Sequence, residues 1–120
     1  MRTFVASKLF RAVITDANID YRGSITISQN LLDASGIKPH ELVHINNFRN
    51  AAHWETHVIP TEMNNVITLN GPPSLLFAIG DEVVIFNTIS LTQGEKYIHR
   101  TVYIGESNSV KSIREESIEG

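Results

Sequence analysis

The stretch YRGSIT contains two adjacent residues, Gly23 and Ser24, whose types could do chemistry together. Glycine has no Cβ, so the carbonyl before Ser24 can be approached closely and can sit in a backbone conformation that other residues hold poorly. A serine hydroxyl beside such a carbonyl is a potential nucleophile. Taken alone, the pair reads as a turn with a capping serine. A second group lies in HWETHVI, where His53 and His57 are four residues apart. On a helix that would be a metal-ligand spacing. The stretch reads as a strand, which puts both rings on one face two pleats apart with no third ligand of matching quality, so no metal is expected.

Composition narrows the classes further. The 120 residues contain no cysteine, which removes disulfides, thiolate nucleophiles and cysteine-ligated metal sites, and fits a reducing, cytoplasmic setting. Arg2, Lys8 and Arg11 interrupt the apolar residues of the N-terminal stretch, so it lacks the apolar run of a signal peptide or membrane span. A formal charge of −3, with Lys and Arg spread thinly, gives no footprint for a phosphate backbone. Neither nucleic acid nor membrane is expected as a partner; a small molecule is.

The elements that would position these residues are mainly strands. FVASKLFRAVIT (4–15), SITIS (24–28), LVHINNF (42–48), HWETHVI (53–59), VITLN, EVVIFNTISL (82–91) and YIHRTVYI (97–104) carry β-branched and aromatic residues, several in alternation. Short spacers rich in Asn, Gly and Pro suit one small mostly β domain over residues 1–104. Two short helices interrupt it. QNLLDASG has Ser28 as a candidate N-cap and Gly36 placed to end it left-handed, and the second lies around Ser74–Ala78 and stops at Gly80. Each helix runs into a similar strand, Glu41–Ile45 and Glu82–Phe86, a short internal repeat about forty residues apart that suggests pseudo-twofold symmetry. Residues 105–120, GESNSVKSIREESIEG, read as a polar tail that frays into solvent unless a neighbouring subunit holds it.

The company of Gly23-Ser24 adds to its meaning. Lys8 lies on a strand near the N-terminus, Tyr21 precedes the pair, Thr56 lies on a later strand and Asn70-Gly71 at a strand end. In this order, and with the surrounding pieces SKLFRAVIT, DANIDYRGSITI, LLDASGI, ET before HVI, TLNG and IGDEVVI, the chain resembles the aspartate 1-decarboxylase family from RTFVASKL to YIHRTVYIGE. These are small pyruvoyl-dependent enzymes that make β-alanine for pantothenate synthesis. The resemblance implies a six-stranded double-psi β-barrel with short helices, a homotetramer with active sites between subunits, and in some members a maturation factor.

It also implies roles. Ser24 would attack the Gly23 carbonyl, and the resulting ester would eliminate and hydrolyse to leave a covalently bound pyruvoyl group that forms a Schiff base with the substrate amine. No external cofactor is then required. Thr56 matches the family threonine that assists cleavage, Lys8 would hold a substrate carboxylate, and Tyr21, Asn70, Gly71, Pro72 and Pro73 would line the pocket. Without the resemblance, Thr56 simply suits a strand, Lys8 is a solvated strand lysine, and the Asn-Gly-Pro-Pro run is a turn.

Four positions depart from the family pattern. His53 replaces an arginine that clamps a substrate carboxylate, and His57 replaces the tyrosine that reprotonates the substrate. Phe10 stands for a histidine and Asn46 for a tryptophan. L-aspartate is the expected substrate. The same chemistry on another amino acid, and a barrel that only binds, are the alternatives.

Overall fold

Alternation along the chain produces strands wherever the sequence analysis expects them. The structure, a computed structural model, describes residues 1–19, 22–71 and 75–120. In chain order these contain β1 (Arg2–Val13), β2 (Asp16–Asn18), β3 (Ser24–Ser28), α1 (Gln29–Ser35), β4 (Leu42–Asn47), β5 (His53–Thr61), β6 (Ile67–Asn70), β7 (Glu82–Leu91), β8 (Lys96–Ile104), a 3-10 turn (Glu106–Asn108) and β9 (Val110–Glu119). The seven expected stretches become β1 and β3 through β8; β2 and β9 are additional. The strands follow one another side by side in the order β2-β6-β3-β5-β4-β7-β1-β8-β9. The pairs β1/β8, β2/β6 and β3/β5 are parallel, and the remaining neighbours antiparallel. The result is a small mostly β domain consistent with a β-barrel, in which nine strands are described where the expected barrel has six.

Core-facing positions fall at every second residue, as in Val43 and Ile45 on β4 and Val83 and Ile85 on β7, and with Leu9, Ile25, Ile27, Leu69 and Val102 they form one apolar cluster. Each such side chain contributes roughly 1.5–3 kcal/mol relative to leaving it exposed. β1 breaks its alternation at two bulges, between Val5 and Ser7 and between Phe10 and Ala12, where Arg11 takes a left-handed φ of 66°.

Three local expectations change. The tail does not fray: β9 pairs antiparallel with β8 from Lys96↔Glu119 to Ile104↔Val110. An edge strand is held by backbone hydrogen bonds and needs no apolar face, which is why its serine- and glutamate-rich composition conceals it, and its side chains stay almost wholly exposed. Ser28 occupies the N-cap of α1 without capping it. Its buried hydroxyl donates instead to the carbonyl of Met63 and accepts from the Val66 N–H. Gly36 does end α1 left-handed, φ 83°, with its N–H on the Leu32 carbonyl. The second helix falls partly outside the described residues; Leu75 is in 3-10 conformation, and from Leu76 to Gly80 the backbone is turn and irregular.

The internal repeat is real, with its register set one residue from the Glu41/Glu82 match. The His40 N–H donates to the Val58 carbonyl (2.8 Å) and the Val58 N–H to the Glu41 carbonyl (3.1 Å). In the second half, the Gly80 N–H donates to the Ile14 carbonyl (2.8 Å) and the Ile14 N–H to the Asp81 carbonyl (3.0 Å). His40 and Gly80 both have positive φ, 68° and 92°. Glu41 therefore corresponds to Asp81, and β4 to β7. These strands pair antiparallel with Ile45 opposite Ile85, and His44↔Phe86 mirrored by Asn46↔Val84, so the approximate twofold axis passes beside the two isoleucines.

Candidate active site

β3 begins at Ser24, opposite Asn70 at the end of β6. The antiparallel pairing brings their side chains together: Asn70 Nδ2 donates to Ser24 Oγ (3.1 Å) and to Thr26 Oγ1 (3.0 Å). Ser24 is 2% exposed and Asn70 7%, so the hydroxyl lies in dry surroundings where hydrogen bonds are strong. Gly23, just before the strand, has φ +133°, a conformation open to glycine and strained for any other residue. A Cβ placed there would sit 4.0 Å from Thr56 Oγ1 and 3.8 Å from Trp54 Cζ2. Thr56, 8% exposed, thus presents its hydroxyl to the Gly23–Ser24 junction from β5. Gly71 continues the wall: it is buried, has φ +139° and donates its N–H to the Asn18 carbonyl.

The other expected residues lie elsewhere. Register across β1, β7, β4 and β5 gives one row Lys8–Phe86–His44–Glu55, a core row Leu9–Ile85–Ile45–Trp54, and a row Phe10–Val84–Asn46–His53. Side chains on one face recur at every second position. Lys8, Phe10, Asn46 and His53 therefore share the face opposite the core, and His57 joins them on β5, where Thr56 and Val58 point inward. The structure brings Gly23, Ser24, Thr56 and Asn70 together. It gathers Lys8, His53 and His57 with the two further departures from the family pattern on the outer face of the strands, the face to which Ser24 and Asn70 also turn, since Ile25 and Leu69 beside them belong to the core. Tyr21, Pro72 and Pro73 lie outside the described residues.

On that outer face the substitutions have found partners. Phe10 packs edge-on against Phe48 and Tyr103, each at 5.7 Å between centroids, and the Arg11 guanidinium lies 4.6 Å from the Phe48 centroid. His57 stacks against His40 at 6.4 Å. His53 Nδ1 meets Asn46 Oδ1 at 2.5 Å, and the His44 ring lies between those of His53 and Phe86, at 5.5 and 4.8 Å. Glu55 Oε1 is 3.4 Å from His44 Nδ1 and 3.6 Å from His53 Nε2.

Sequence reasoning did not single out Thr26, Trp54, His44 or Glu55 for this geometry. Thr26 shares the Asn70 amide, and its place two residues after Ser24 on the same strand is the signal that could have shown it. His44 and Glu55 come together only through the register of β4 against β5.

The Gly23–Ser24 junction thus sits between a threonine hydroxyl and an asparagine amide at the strand ends of a small β domain. The family profile described as Aspartate decarboxylase matches residues 1–111. The chain belongs to the aspartate decarboxylase family, and with it to the carboxy-lyases. It is similar to the aspartate 1-decarboxylase of Bacillus pumilus, 43% identical over 93% of this chain and 91% of that one. The aspartate 1-decarboxylase of Carboxydothermus hydrogenoformans is 39% identical over 98% and 95%, and that of Salinibacter ruber 40% over 93% and 79%. No helix among the described residues is long and apolar enough to cross a membrane.

Proposed function

We propose that the chain cleaves itself between Gly23 and Ser24 and then decarboxylates L-aspartate to β-alanine, which supplies pantothenate assembly. The observation that carries this reading is the junction itself: a left-handed glycine and a buried serine, with Thr56 Oγ1 close to the first and Asn70 Nδ2 on the second. Ser24 Oγ adds to the Gly23 carbonyl carbon and the C–N bond between the residues breaks, leaving an ester and a free amine on Ser24. The Thr56 hydroxyl is near enough to donate toward the carbonyl oxygen as charge develops. Loss of the Ser24 α-proton with cleavage of its Cβ–Oγ bond frees the Gly23 carboxylate, and water then displaces ammonia to leave a pyruvoyl ketone at the head of residues 24–120.

The surroundings fit such a group, because it forms in place from a buried side chain whose neighbours include an amide donor, and no imported cofactor is called for. Once formed, its carbonyl supplies the electron sink for decarboxylation. Lys8 provides a cation for a substrate carboxylate, and His57 a group able to hand a proton back. Lys8 lies on β1, which β5, β4 and β7 separate from β3 in the strand order, and this supports a site completed by a second copy, in a homotetramer.

The four substituted positions, together on that outer face, favour a second reading in which the same chemistry serves a different amino acid. Intact mass under denaturing conditions tests the first step: two pieces divided after Gly23, and one uncut chain for Ser24→Ala, are expected. An uncut wild-type chain after long incubation with and without host lysate overturns self-processing. Carbon dioxide release from aspartate and from a panel of amino acids then decides the substrate.

A further inference from the structure

The outer face of β4 and β5 carries a group of side chains that neither cleavage nor decarboxylation uses. His44, His53 and Glu55 each offer one ligand atom within 4.8 Å of the other two, and Glu55 Oε1 is 3.4 Å from His44 Nδ1 and 3.6 Å from His53 Nε2. Zinc bonds to nitrogen and oxygen of about 2.0–2.2 Å in a tetrahedron separate neighbouring ligand atoms by about 3.4 Å. The two histidine–carboxylate distances are already close to that spacing.

The surrounding contacts also suit a metal. His53 has Nδ1 against Asn46 Oδ1, an acceptor that favours the tautomer with Nδ1–H donating, the outer hydrogen bond that ligating histidines ordinarily make, and leaves Nε2 as the free nitrogen 3.6 Å from Glu55 Oε1. The His44 ring is held between Phe86 and the His53 ring, and its side chain is 20% exposed. His53 and Glu55, at 44% and 52%, leave the open side of the cluster to solvent, so a fourth ligand has room. Lys8, at the other end of the same row beyond Phe86, is the charge that opposes a cation here.

We propose that His44, His53 and Glu55 bind a divalent transition metal of the zinc class, with Asn46 as the positioning partner of His53. Two imidazoles and one carboxylate form a borderline donor set suited to zinc and poorly matched to magnesium or calcium. On the decarboxylase reading, on which this clause rests, the metal would restore at His53 the fixed positive charge that the family's arginine provides, and its open position would take a carboxylate of the substrate.

Equilibrium dialysis of the tag-free, full-length chain against zinc alone tests the site without reference to activity. Expected are one zinc per chain, a weakening of about tenfold or more in His53→Gln and in Glu55→Gln, a smaller weakening in Asn46→Ala, and none in His40→Asn, a histidine outside the cluster. Circular dichroism of each variant separates loss of ligand from loss of fold. No zinc uptake, or equal uptake by wild type, His53→Gln and Glu55→Gln with all three folded, overturns the site and leaves the decarboxylase reading intact. A KM for aspartate that zinc leaves unchanged overturns the carboxylate role.

Discussion

Asn70 Nδ2 reaches both Ser24 Oγ, at 3.1 Å, and Thr26 Oγ1, at 3.0 Å, so one amide fixes two hydroxyls that follow each other along the same strand. The amide donates, which leaves the Ser24 hydroxyl proton for another acceptor and holds the oxygen at the end of β3 beside the Gly23 carbonyl. Replacing Asn70 by Ala removes this anchor on Ser24 Oγ and leaves the Gly23–Ser24 bond and the hydroxyl themselves unaltered. Cleavage after Gly23 is expected to slow by about ten- to a hundredfold, as a misplaced nucleophile does. Time-resolved intact mass measures it, and cleavage at the wild-type rate would show that Asn70 serves only the packing of β6.

Gly23 separates conformation from space. A Cβ there meets Trp54 and Thr56 at 3.8 and 4.0 Å, ordinary contact distances, so Gly23→Ala creates no clash. The backbone φ of +133° is the obstacle. Alanine must rotate the scissile peptide away from its present orientation or carry strain of about 1–3 kcal/mol. The expected outcome is a folded chain, slightly less stable to denaturant, in which cleavage is nearly abolished. Normal cleavage in Gly23→Ala would mean that the left-handed glycine is not part of the chemistry.

What the sequence makes legible follows from what each feature depends on. Alternation is local, so β1 and β3 through β8 could be read directly from apolar spacing. β9 depends on backbone pairing with β8 and carries no such pattern. Ser28 has the residue type of an N-cap, yet the nearby Met63 carbonyl and Val66 N–H, distant in sequence, draw its hydroxyl away. Ser24, Thr56 and Asn70 were named through a family resemblance, and the structure brings their side chains to one junction. Lys8, His53 and His57 were named in the same way; the period-two alternation of β5 sends His53 and His57 to the side away from Thr56, and Lys8 lies on β1, separated from β3 by β5, β4 and β7 in the strand order. His44 and Glu55 were invisible, since strand register across β4 and β5 is a property of pairs of segments.

The approximate twofold has a polar counterpart that can be measured. Asn47 Nδ2 donates to Asp81 Oδ2 at 2.8 Å, and Asn87 Nδ2 donates to Glu41 Oε2 at 3.0 Å, each asparagine of one half bonding the acid that opens the repeat strand of the other. Asn87 Oδ1 also accepts from the Ser7 N–H and hydroxyl beside the first bulge of β1. Asn87→Ala strands those buried donors and is expected to destabilise by about 1–3 kcal/mol. Asn47→Ala should have an effect of the same order, because the Arg49 N–H also loses its acceptor. Urea denaturation of both variants checks this, and a change below about 0.5 kcal/mol in either, the level of an ordinary surface substitution, would remove the crossed asparagines from the account of stability.

Asp81 gives the fold a defined acid sensitivity. The Arg49 guanidinium, bonded through Nε and Nη2, holds the carboxyl well below the usual carboxylate range; burial opposes this, while the Ala78 N–H and Asn47 amide add to the lowering. The folded value lies below the unfolded one of about 3.9, so the unfolded chain binds a proton first as pH falls. The stabilisation is complete above about pH 4 and is lost progressively below it. Asp81→Asn removes the titration and keeps the shape, so its stability is expected to start lower at pH 7 and to fall less steeply than wild type from pH 4 toward pH 2. Other carboxylates, such as Glu95, which Thr92 holds below its ordinary value, are common to both proteins and cancel in the difference. Thermal midpoints of the two measured in parallel across that range decide the matter: parallel curves would show that Asp81 does not carry the linkage.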